Sequence, residues 1–180
     1  STQNIEVTRF HLNKPITPQD INIEPAAGID STSLEYVSYL NAITKQMNKF
    51  GLTAIDGDSA ELFATVKIGS EVRQKAPQRS KFSIGVGGGS FGSRTGISGG
   101  VNVPVGGSSG SEELVRSLEV RLIRRQENAV SWEGSATKSS DAITDEGSDI
   151  AQELSEALFQ EFPGDSGKTV IISIDDAVKN

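Results

Sequence analysis

The residue types in this 180-residue chain that could carry out chemistry are one histidine, scattered carboxylates and a glycine-rich segment. His11 is the only histidine, so any Ser-His-Asp triad would have to use it. The sequence predicts no strand-to-helix turn that would expose a nucleophilic serine. His11 lies in a predicted strand beside Arg9, where a structural or surface histidine is the commoner case. We therefore assign no catalytic residue.

The glycine run at residues 87–92, GGGSFG, matches the G-x-G-x-x-G pattern of dinucleotide-binding loops. Such a loop must lead directly into a helix, because the helix N-terminus receives the pyrophosphate. The residues that follow, SRTGISGGVNV, predict no helix. The run therefore indicates a hairpin, and we expect no cofactor.

Two pairs of carboxylates, Asp56 with Asp58 and Asp175 with Asp176, could offer oxygens to a hard cation. Neither pair has the spacing of a calcium loop, and aspartate is common in turns. We therefore predict no metal site. A competing hypothesis is a carboxylate-dependent hydrolase or small-ligand-binding enzyme that uses Glu133 and Asp58, which would require a pocket where these acids converge.

Composition narrows the class of protein. A net charge of -7 and a pI near 4.8 have the wrong sign for binding phosphates, so we expect no nucleic-acid partner. Because cysteine is absent, disulfides, thiolate metal sites and cysteine nucleophiles are excluded. We expect one domain over residues 1–180 and no spanning segment, since no apolar run approaches roughly 18 residues. The start at Ser1 leads us to expect a removed signal segment.

A β-hairpin over residues 118–136 is the element around which the fold is predicted to form. Apolar and polar residues alternate on both of its arms. The alternation places Leu122 opposite Trp132 on an apolar face. On the other face it places Arg121 opposite Glu133, a charge pair worth roughly 0.2–1 kcal/mol. Trp132 is expected to fill the core beneath the helices.

The loop of this hairpin is predicted from the same alternation. A three-residue loop at residues 126–128 pairs Arg125 with Ala129 and keeps the two apolar arms on one face. Asn128 would then adopt the left-handed conformation that such a loop requires.

The remaining elements are assigned from periodicity and from end signals. A bulge near Thr8 and Arg9 is predicted in the first strand, because its apolar residues change face there. Thr32 and Glu35 form a capping-box pattern at the start of the first helix. The predicted strands are residues 5–12, 21–23, 62–68 with a continuation to 72, and 169–174, and the predicted helices are residues 33–50 and 148–162.

A glycine-rich hairpin is predicted over residues 80–110. Its apolar residues keep a two-residue period, whereas glycines occupy much of the other face and could lie against another backbone or a ligand. We treat this hairpin as the candidate binding surface, with Phe82, Ile84, Val86, Phe91, Arg94, Val101 and Val103 as its candidate contact residues.

Taken together, the elements predict an α+β fold. It is a single antiparallel or mixed sheet of about six to eight strands, with two helices packed on one face and the glycine-rich hairpin protruding.

Four segments of the chain resemble the bacterial domain-of-unknown-function 4136 family: RFHL, SLEYVSYLNAI, GGVNVPVGG and LEVRLIRRQENAVSWEGSA. The most specific is the W-E-G step at Trp132, Glu133 and Gly134, with the glycine-rich hairpin ahead of it. Members of that family look like lipoproteins of Gram-negative cell envelopes, made with a signal peptide and a lipid-bearing cysteine. The resemblance implies a periplasmic or outer-membrane location, with a lipid anchor in the precursor that this cysteine-free chain does not itself contain. It supplies no catalytic residues.

The leading functional hypothesis is a non-catalytic envelope domain that binds or scaffolds a partner through the glycine-rich hairpin and a sheet face. The partner would be an envelope protein, and self-association through the glycine-rich edge is a further possibility. Contact with the membrane would come only from the lipid anchor of the precursor.

Overall fold

A computed structural model describes residues 2–74, 112–141 and 149–175 of the chain. The predicted glycine-rich hairpin, with all seven of its candidate contact residues, lies outside these described residues. Within the described ranges, no helix has the length and apolar character needed to cross a bilayer.

The described residues form one seven-stranded mixed sheet and two helices, in the order β3-β2-β4-β5-β6-β1-β7 across the sheet. Strand β2 runs parallel to its neighbours β3 and β4, and the other neighbouring pairs are antiparallel. The predicted α+β class is therefore confirmed, and the three-residue β3 is a strand that the sequence did not indicate. The strands are β1 Thr2–His11, β2 Gln19–Pro25, β3 Leu52–Ala54, β4 Leu62–Gln74, β5 Glu112–Arg124, β6 Ala129–Asp141 and β7 Lys168–Asp175, and the helices are α1 Leu34–Lys49 and α2 Ile150–Phe159.

The central hairpin is the pair β5 and β6, and its predicted register is confirmed. Leu122 pairs with Trp132 and Arg121 pairs with Glu133. Leu122 and Trp132 are both completely buried, on the face that carries the helices. The alternation in the sequence therefore identified the core side of these two strands correctly.

The predicted turn of this hairpin is wrong in its length. Arg124, not Arg125, pairs with Ala129, which leaves the four residues 125–128 in the loop. A bulge in β6 at Ser131 then restores the register. Arg125 is withdrawn from the pairing because its backbone N–H donates to Glu61 and its side chain donates to the Ala60 carbonyl.

Asn128 does adopt a left-handed conformation, with φ of 48°, as the sequence predicted.

The first strand differs from the prediction because it contains no bulge near Thr8 and Arg9. Its pairing with β6 and β7 continues without a shift through this point. Regular alternation therefore turns Arg9 toward the core and leaves Phe10 on the opposite face, 49% exposed. The assumption that apolar residues share the core face was wrong for this strand.

The ends of both helices are set by side-chain caps. Ser33, not the predicted Thr32, caps α1, because its hydroxyl accepts a hydrogen bond from the Tyr36 N–H. Asp149 caps α2 in the same way, by accepting from the Gln152 N–H. Both helices pack on one face of the sheet and against each other. The core therefore lies between this helix pair and one sheet face.

Candidate functional site

The opposite side of the sheet, here called the outer face, carries the predicted charge pair. Nε of Arg121 lies 3.3 Å from Oε1 of Glu119 and 3.3 Å from Oε2 of Glu133. These three side chains, together with Thr8 and Phe10, line a shallow depression of about 150 Å³. Because the ions are partly exposed, the pairing fixes their positions and contributes little to stability.

The acids required by the hydrolase hypothesis are not brought together on this face. Glu133 is paired with Arg121, and Asp58 does not line the depression that contains Glu133. In the ranges that the structure describes, no three His, Asp or Glu residues are grouped closely enough to hold a metal ion.

Three large apolar side chains are exposed near the end of the sheet where β1 ends and β6 begins, and we call them the outer corner. Phe10 is 49% exposed, Leu12 is 60% exposed and Val130 is 37% exposed. Phe10 pairs with Glu133 and Val130 pairs with Ile123, which places both side chains on the outer face. Leu12 follows the end of β1 and lines a separate depression with Ala129 and Ser131. Leaving apolar side chains of this size in water costs free energy, and contiguous apolar exposure is typical of an interaction surface.

On the helix side, Trp132 is the centre of an aromatic cluster. Its ring stacks on Phe159 with centroids 5.4 Å apart and lies 5.1 Å from the ring of Phe162. Its indole Nε1–H donates a 3.0 Å hydrogen bond to the carbonyl of Pro163. Trp132 therefore holds both the end of α2 and the loop that follows it.

His11 fixes the same loop from the neighbouring strand. The Asn13 N–H donates to Nδ1 of His11, so the ring proton lies on Nε2, which donates to the Gly164 carbonyl at 2.7 Å. The His11 N–H donates to Oγ of Ser166. With both ring nitrogens engaged, His11 acts as a structural residue.

Arg9 is a buried cation beside this loop. Only 6% of the residue is exposed, and its Nη2 donates to the Ala157 carbonyl at 3.2 Å, near the C-terminus of α2. Its Nε–H is buried and has no hydrogen-bond partner. Burial lowers the pKa of Arg9, while the carboxylates of Glu161 and Asp165 raise it. The guanidinium is therefore held by its hydrogen bond to the Ala157 carbonyl, and its Nε–H donor is not used.

A cavity of about 470 Å³ lies between β7 and the loop after α2, and we call it the Arg9 cavity. Val7, Val170 and Ile172 form its apolar side. The two antiparallel pairs Val7–Val170 and Arg9–Lys168 place these residues on one face of the sheet. Its polar lining is supplied by Arg9, Gln160, Glu161, Asp165 and Lys168.

Gly164 is the residue that lets Arg9 occupy this position. It has φ of +72°, and a Cβ there would overlap Nη1 of Arg9. Gly167 has a similar φ of +79°, but a Cβ there would meet no atom within 4 Å. Both glycines have a left-handed φ that would strain alanine, but only at Gly164 would the added Cβ also clash with Arg9.

We therefore expect Gly164→Ala to destabilise the protein by about 2–4 kcal/mol, because Ala adds both left-handed strain and a clash with a buried cation. Gly167→Ala is the matched control and is expected to cost only about 1–2 kcal/mol, from strain alone. Urea denaturation followed by circular dichroism measures both. Equal losses for the two variants would show that the contact between Gly164 and Arg9 contributes nothing.

A buried ion pair lies farther along the sheet face that packs against the helices. Nζ of Lys138 on β6 is 2.6 Å from Oε2 of Glu153 on α2, and both side chains are only 4% exposed. Burial of Arg9, Lys138 and Glu153 was not predicted from the sequence. The available signal was periodicity, because Arg9 continues the alternation of Ile5 and Val7, Lys138 continues that of Trp132 and Ala136, and Glu153 lies one turn after Ile150 in α2.

Comparisons with known proteins identify a matching family model and a similar protein. The family model described as "Domain of unknown function (DUF4136)" matches residues 10–164. An uncharacterized protein of Zymomonas mobilis subsp. mobilis is 31% identical to this chain over 212 aligned positions, which cover 94% of this chain and 80% of that protein.

Two solved structures match most of this chain at low sequence identity. A PDZ domain protein from Parabacteroides distasonis has a TM-score of 0.50 and 13% identity, and the match covers 96% of this chain but only 39% of that one. The PelC dodecamer from Paraburkholderia phytofirmans has a TM-score of 0.44 and 11% identity, and the match covers 86% of this chain and 91% of that one. At 13% identity the likeness to the Parabacteroides distasonis protein concerns the fold alone.

Proposed function

The chain belongs to the family Domain of unknown function (DUF4136), and from this premise we propose that it is a non-catalytic domain of the bacterial cell envelope that binds a partner protein. The observation that carries the proposal is the outer corner. Phe10 and Val130 are exposed on the sheet face that the two helices do not cover, and Leu12 is exposed where the chain leaves β1. Burying this patch against a partner removes apolar surface from water, and that is the main driving force of association.

The charged residues beside the outer corner give the proposed interface a polar rim. Arg121, Glu119 and Glu133 form a paired group next to Phe10. Such a rim contributes to orientation and specificity more than to affinity. The glycine-rich segment at residues 80–110, for which the sequence predicts a hairpin, is the second proposed contact, through Phe82, Val101 and their neighbours.

The proposed location is the periplasmic side of the envelope, with a lipid anchor on the precursor. Its support is the resemblance to envelope lipoproteins, and its test is separate from that of partner binding. Metabolic labelling of the full-length precursor with an alkyne-tagged palmitate should give a labelled band. An unlabelled precursor would remove the anchor from the proposal and leave the outer corner unaffected.

Partner binding is tested by capture from envelope extracts, using tagged protein and quantitative mass spectrometry. Phe10→Asp should reduce capture of the specific partner by about tenfold or more, because it places a charge in the apolar centre of the interface. Val37→Asp is the matched control, since Val37 is 38% exposed but lies on helix α1. The Val37→Asp protein should capture the partner as well as the wild type does.

Deleting residues 82–103 tests the hairpin separately and should also abolish capture while the remainder stays folded. Equal capture by wild type, Phe10→Asp and the deletion would refute partner binding through these surfaces. Sedimentation velocity across a concentration range distinguishes a foreign partner from a second copy of the chain.

A further inference from the structure

The depression that Leu12 lines with Ala129 and Ser131, here called the Arg124 pocket, contains an unpaired cation. Arg124 is partly buried and lines this pocket. Within the described ranges its side chain has no hydrogen-bond or ion-pair partner. An arginine side chain presents five N–H donors in a rigid fork that matches the geometry of a carboxylate. The Arg124 pocket therefore offers donors that the described part of the protein does not use.

The charges around the pocket indicate which anion fits. Arg124 and Lys14 line it together with one carboxylate, that of Glu127, and the structure shows no ion pair among these three side chains. The lining therefore carries one excess positive charge, in a chain whose net charge is -7. A carboxylate has a single negative charge and neutralises this excess, whereas a phosphate group brings roughly 1.5–2 negative charges and exceeds it.

The size and the apolar lining of the pocket indicate the source of that carboxylate. The pocket has a volume of about 170 Å³, which is below the roughly 300–1,000 Å³ of pockets that hold whole small molecules. Leu12, which is 60% exposed, and Ile16 form its apolar side. A space of this size and character fits one acidic side chain of a partner, with a neighbouring apolar residue on Leu12.

Both walls of the pocket are held by hydrogen bonds within the protein. On one wall, the Asn13 N–H donates to Nδ1 of His11 at 3.0 Å, which fixes the segment that follows β1. On the other wall, the Arg125 N–H donates to the Glu61 carbonyl at 2.7 Å, which fixes the turn between β5 and β6. A preformed site loses less conformational entropy when it binds, so even a short peptide can measure its affinity.

From these observations we propose that the Arg124 pocket binds an acidic side chain, Asp or Glu, of a partner protein. The carboxylate accepts hydrogen bonds from Arg124 and Lys14, and an adjacent apolar residue of the partner packs on Leu12. Leu12 also belongs to the outer corner. The inference therefore rests on the proposed function for the existence of a partner, and it adds the chemistry that the partner presents.

The probe for this site is the peptide acetyl-Gly-Leu-Glu-Leu-Gly-amide, called the Glu peptide. Its control replaces Glu by Gln, which keeps nearly the same shape and removes the charge. A second comparison peptide carries phosphoserine in place of Glu, and free butyrate supplies a carboxylate without any peptide. Binding to the intact chain is followed by ¹H–¹⁵N NMR, including the Arg Nε–H signals.

We expect the Glu peptide to bind with a Kd of about 1 mM or tighter, with its largest shifts at residues 12–16, at residues 124–131 and at the Nε–H of Arg124. The Gln peptide should bind at least about tenfold more weakly, because a neutral amide loses the charge-assisted hydrogen bonds. The phosphoserine peptide and butyrate should both bind more weakly than the Glu peptide.

Substitutions in the pocket give an independent test. Arg124→Gln and Lys14→Gln should each weaken binding of the Glu peptide by about fivefold or more, because each removes one of the two cations. Lys45→Gln is the matched control, since it removes the same charge from an exposed position on α1. It should change the Kd by less than about twofold, because solvent and salt screen a distant exposed charge. If Arg124→Gln does not fold, the exposed Lys14→Gln variant decides the test.

Several results would overturn the inference. They are no binding of the Glu peptide, equal binding of the Gln peptide, or equal effects of the pocket substitutions and Lys45→Gln. Butyrate binding as tight as that of the Glu peptide would assign the pocket to a free carboxylic acid instead of a partner side chain. Tighter binding of the phosphoserine peptide would assign it to a phosphate group.

Failure of this inference is distinguishable from failure of the proposed function, because peptide binding needs no natural partner. If the Glu peptide binds as expected while Phe10→Asp leaves capture unchanged, the outer corner is refuted and the Arg124 pocket is supported. If Phe10→Asp lowers capture while the Glu peptide does not bind, the outer corner is supported and the Arg124 pocket is refuted.

Discussion

Replacing Lys138 by Met is expected to destabilise the protein by about 3–5 kcal/mol, although the new side chain fits an apolar environment better. Lys138 is paired with Glu153 across the interface between β6 and α2, where both side chains are almost fully buried. Removing one member leaves the other charge in a low-dielectric interior, where the cost of desolvation is not repaid. Glu153→Leu alone should be similarly damaging.

The double variant Lys138→Met/Glu153→Leu separates charge pairing from packing. It removes both charges, so we expect it to recover to within about 1–2 kcal/mol of the wild type. Urea denaturation of all four proteins gives the coupling energy between the two residues. If the double variant is as unstable as the sum of the two single variants, the pair does not act as a unit and the buried ions are not compensating each other.

The second large effect is expected at Trp132. Trp132→Ala should cost about 3–5 kcal/mol, because it leaves a cavity among Phe159, Phe162 and Leu122 and removes the hydrogen bond to Pro163. Trp132→Phe should cost less, because it keeps an aromatic ring against Phe159. It removes the indole N–H, and we expect the free energy of unfolding to fall by about 1–2 kcal/mol, from the unpaired Pro163 carbonyl and the lost side-chain volume.

These Trp132 variants also test whether the loop after α2 depends on the indole. Hydrogen exchange of the Gly164 and Ser166 amides should accelerate in Trp132→Phe, because the anchor of Pro163 is lost. Two results together would show that Trp132 does not organise this part of the core. They are unchanged amide exchange rates in Trp132→Phe, and a decrease in the free energy of unfolding of less than about 1 kcal/mol in Trp132→Ala, well below the usual cost of such a core substitution.

The fold could be predicted from the sequence wherever side-chain type and burial agree. Leu122 and Trp132 are apolar residues in strict alternation, so both their register and their buried face followed from the pattern. The helices followed from their period and caps, although the α1 cap lies one residue away from the prediction. Such one-residue differences at helix ends are ordinary, because neighbouring Ser and Thr residues can both cap.

The pair Arg121–Glu133 beside the outer corner was predicted, whereas the exposure of Phe10 and the burial of Arg9 could not be, because these residues break the pattern. Arg9 occupies a core position while Phe10 is exposed, so the apolar residues of β1 gave the wrong face and suggested a bulge. Lys138 and Glu153 are buried as an ion pair that joins two elements, β6 and α2. Pairing between segments far apart in sequence leaves no local signal.

The measurement that tests partner binding most directly is site-specific photo-crosslinking in cells that express the full-length precursor. A benzophenone amino acid is placed at Phe10 in the outer corner or, as the control, at Val37 on α1. Both positions are exposed, at 49% and 38%. We predict a discrete crosslinked species from position 10 that is absent from position 37. No crosslinked species from position 10, or the same species from both positions, would contradict binding through the outer face.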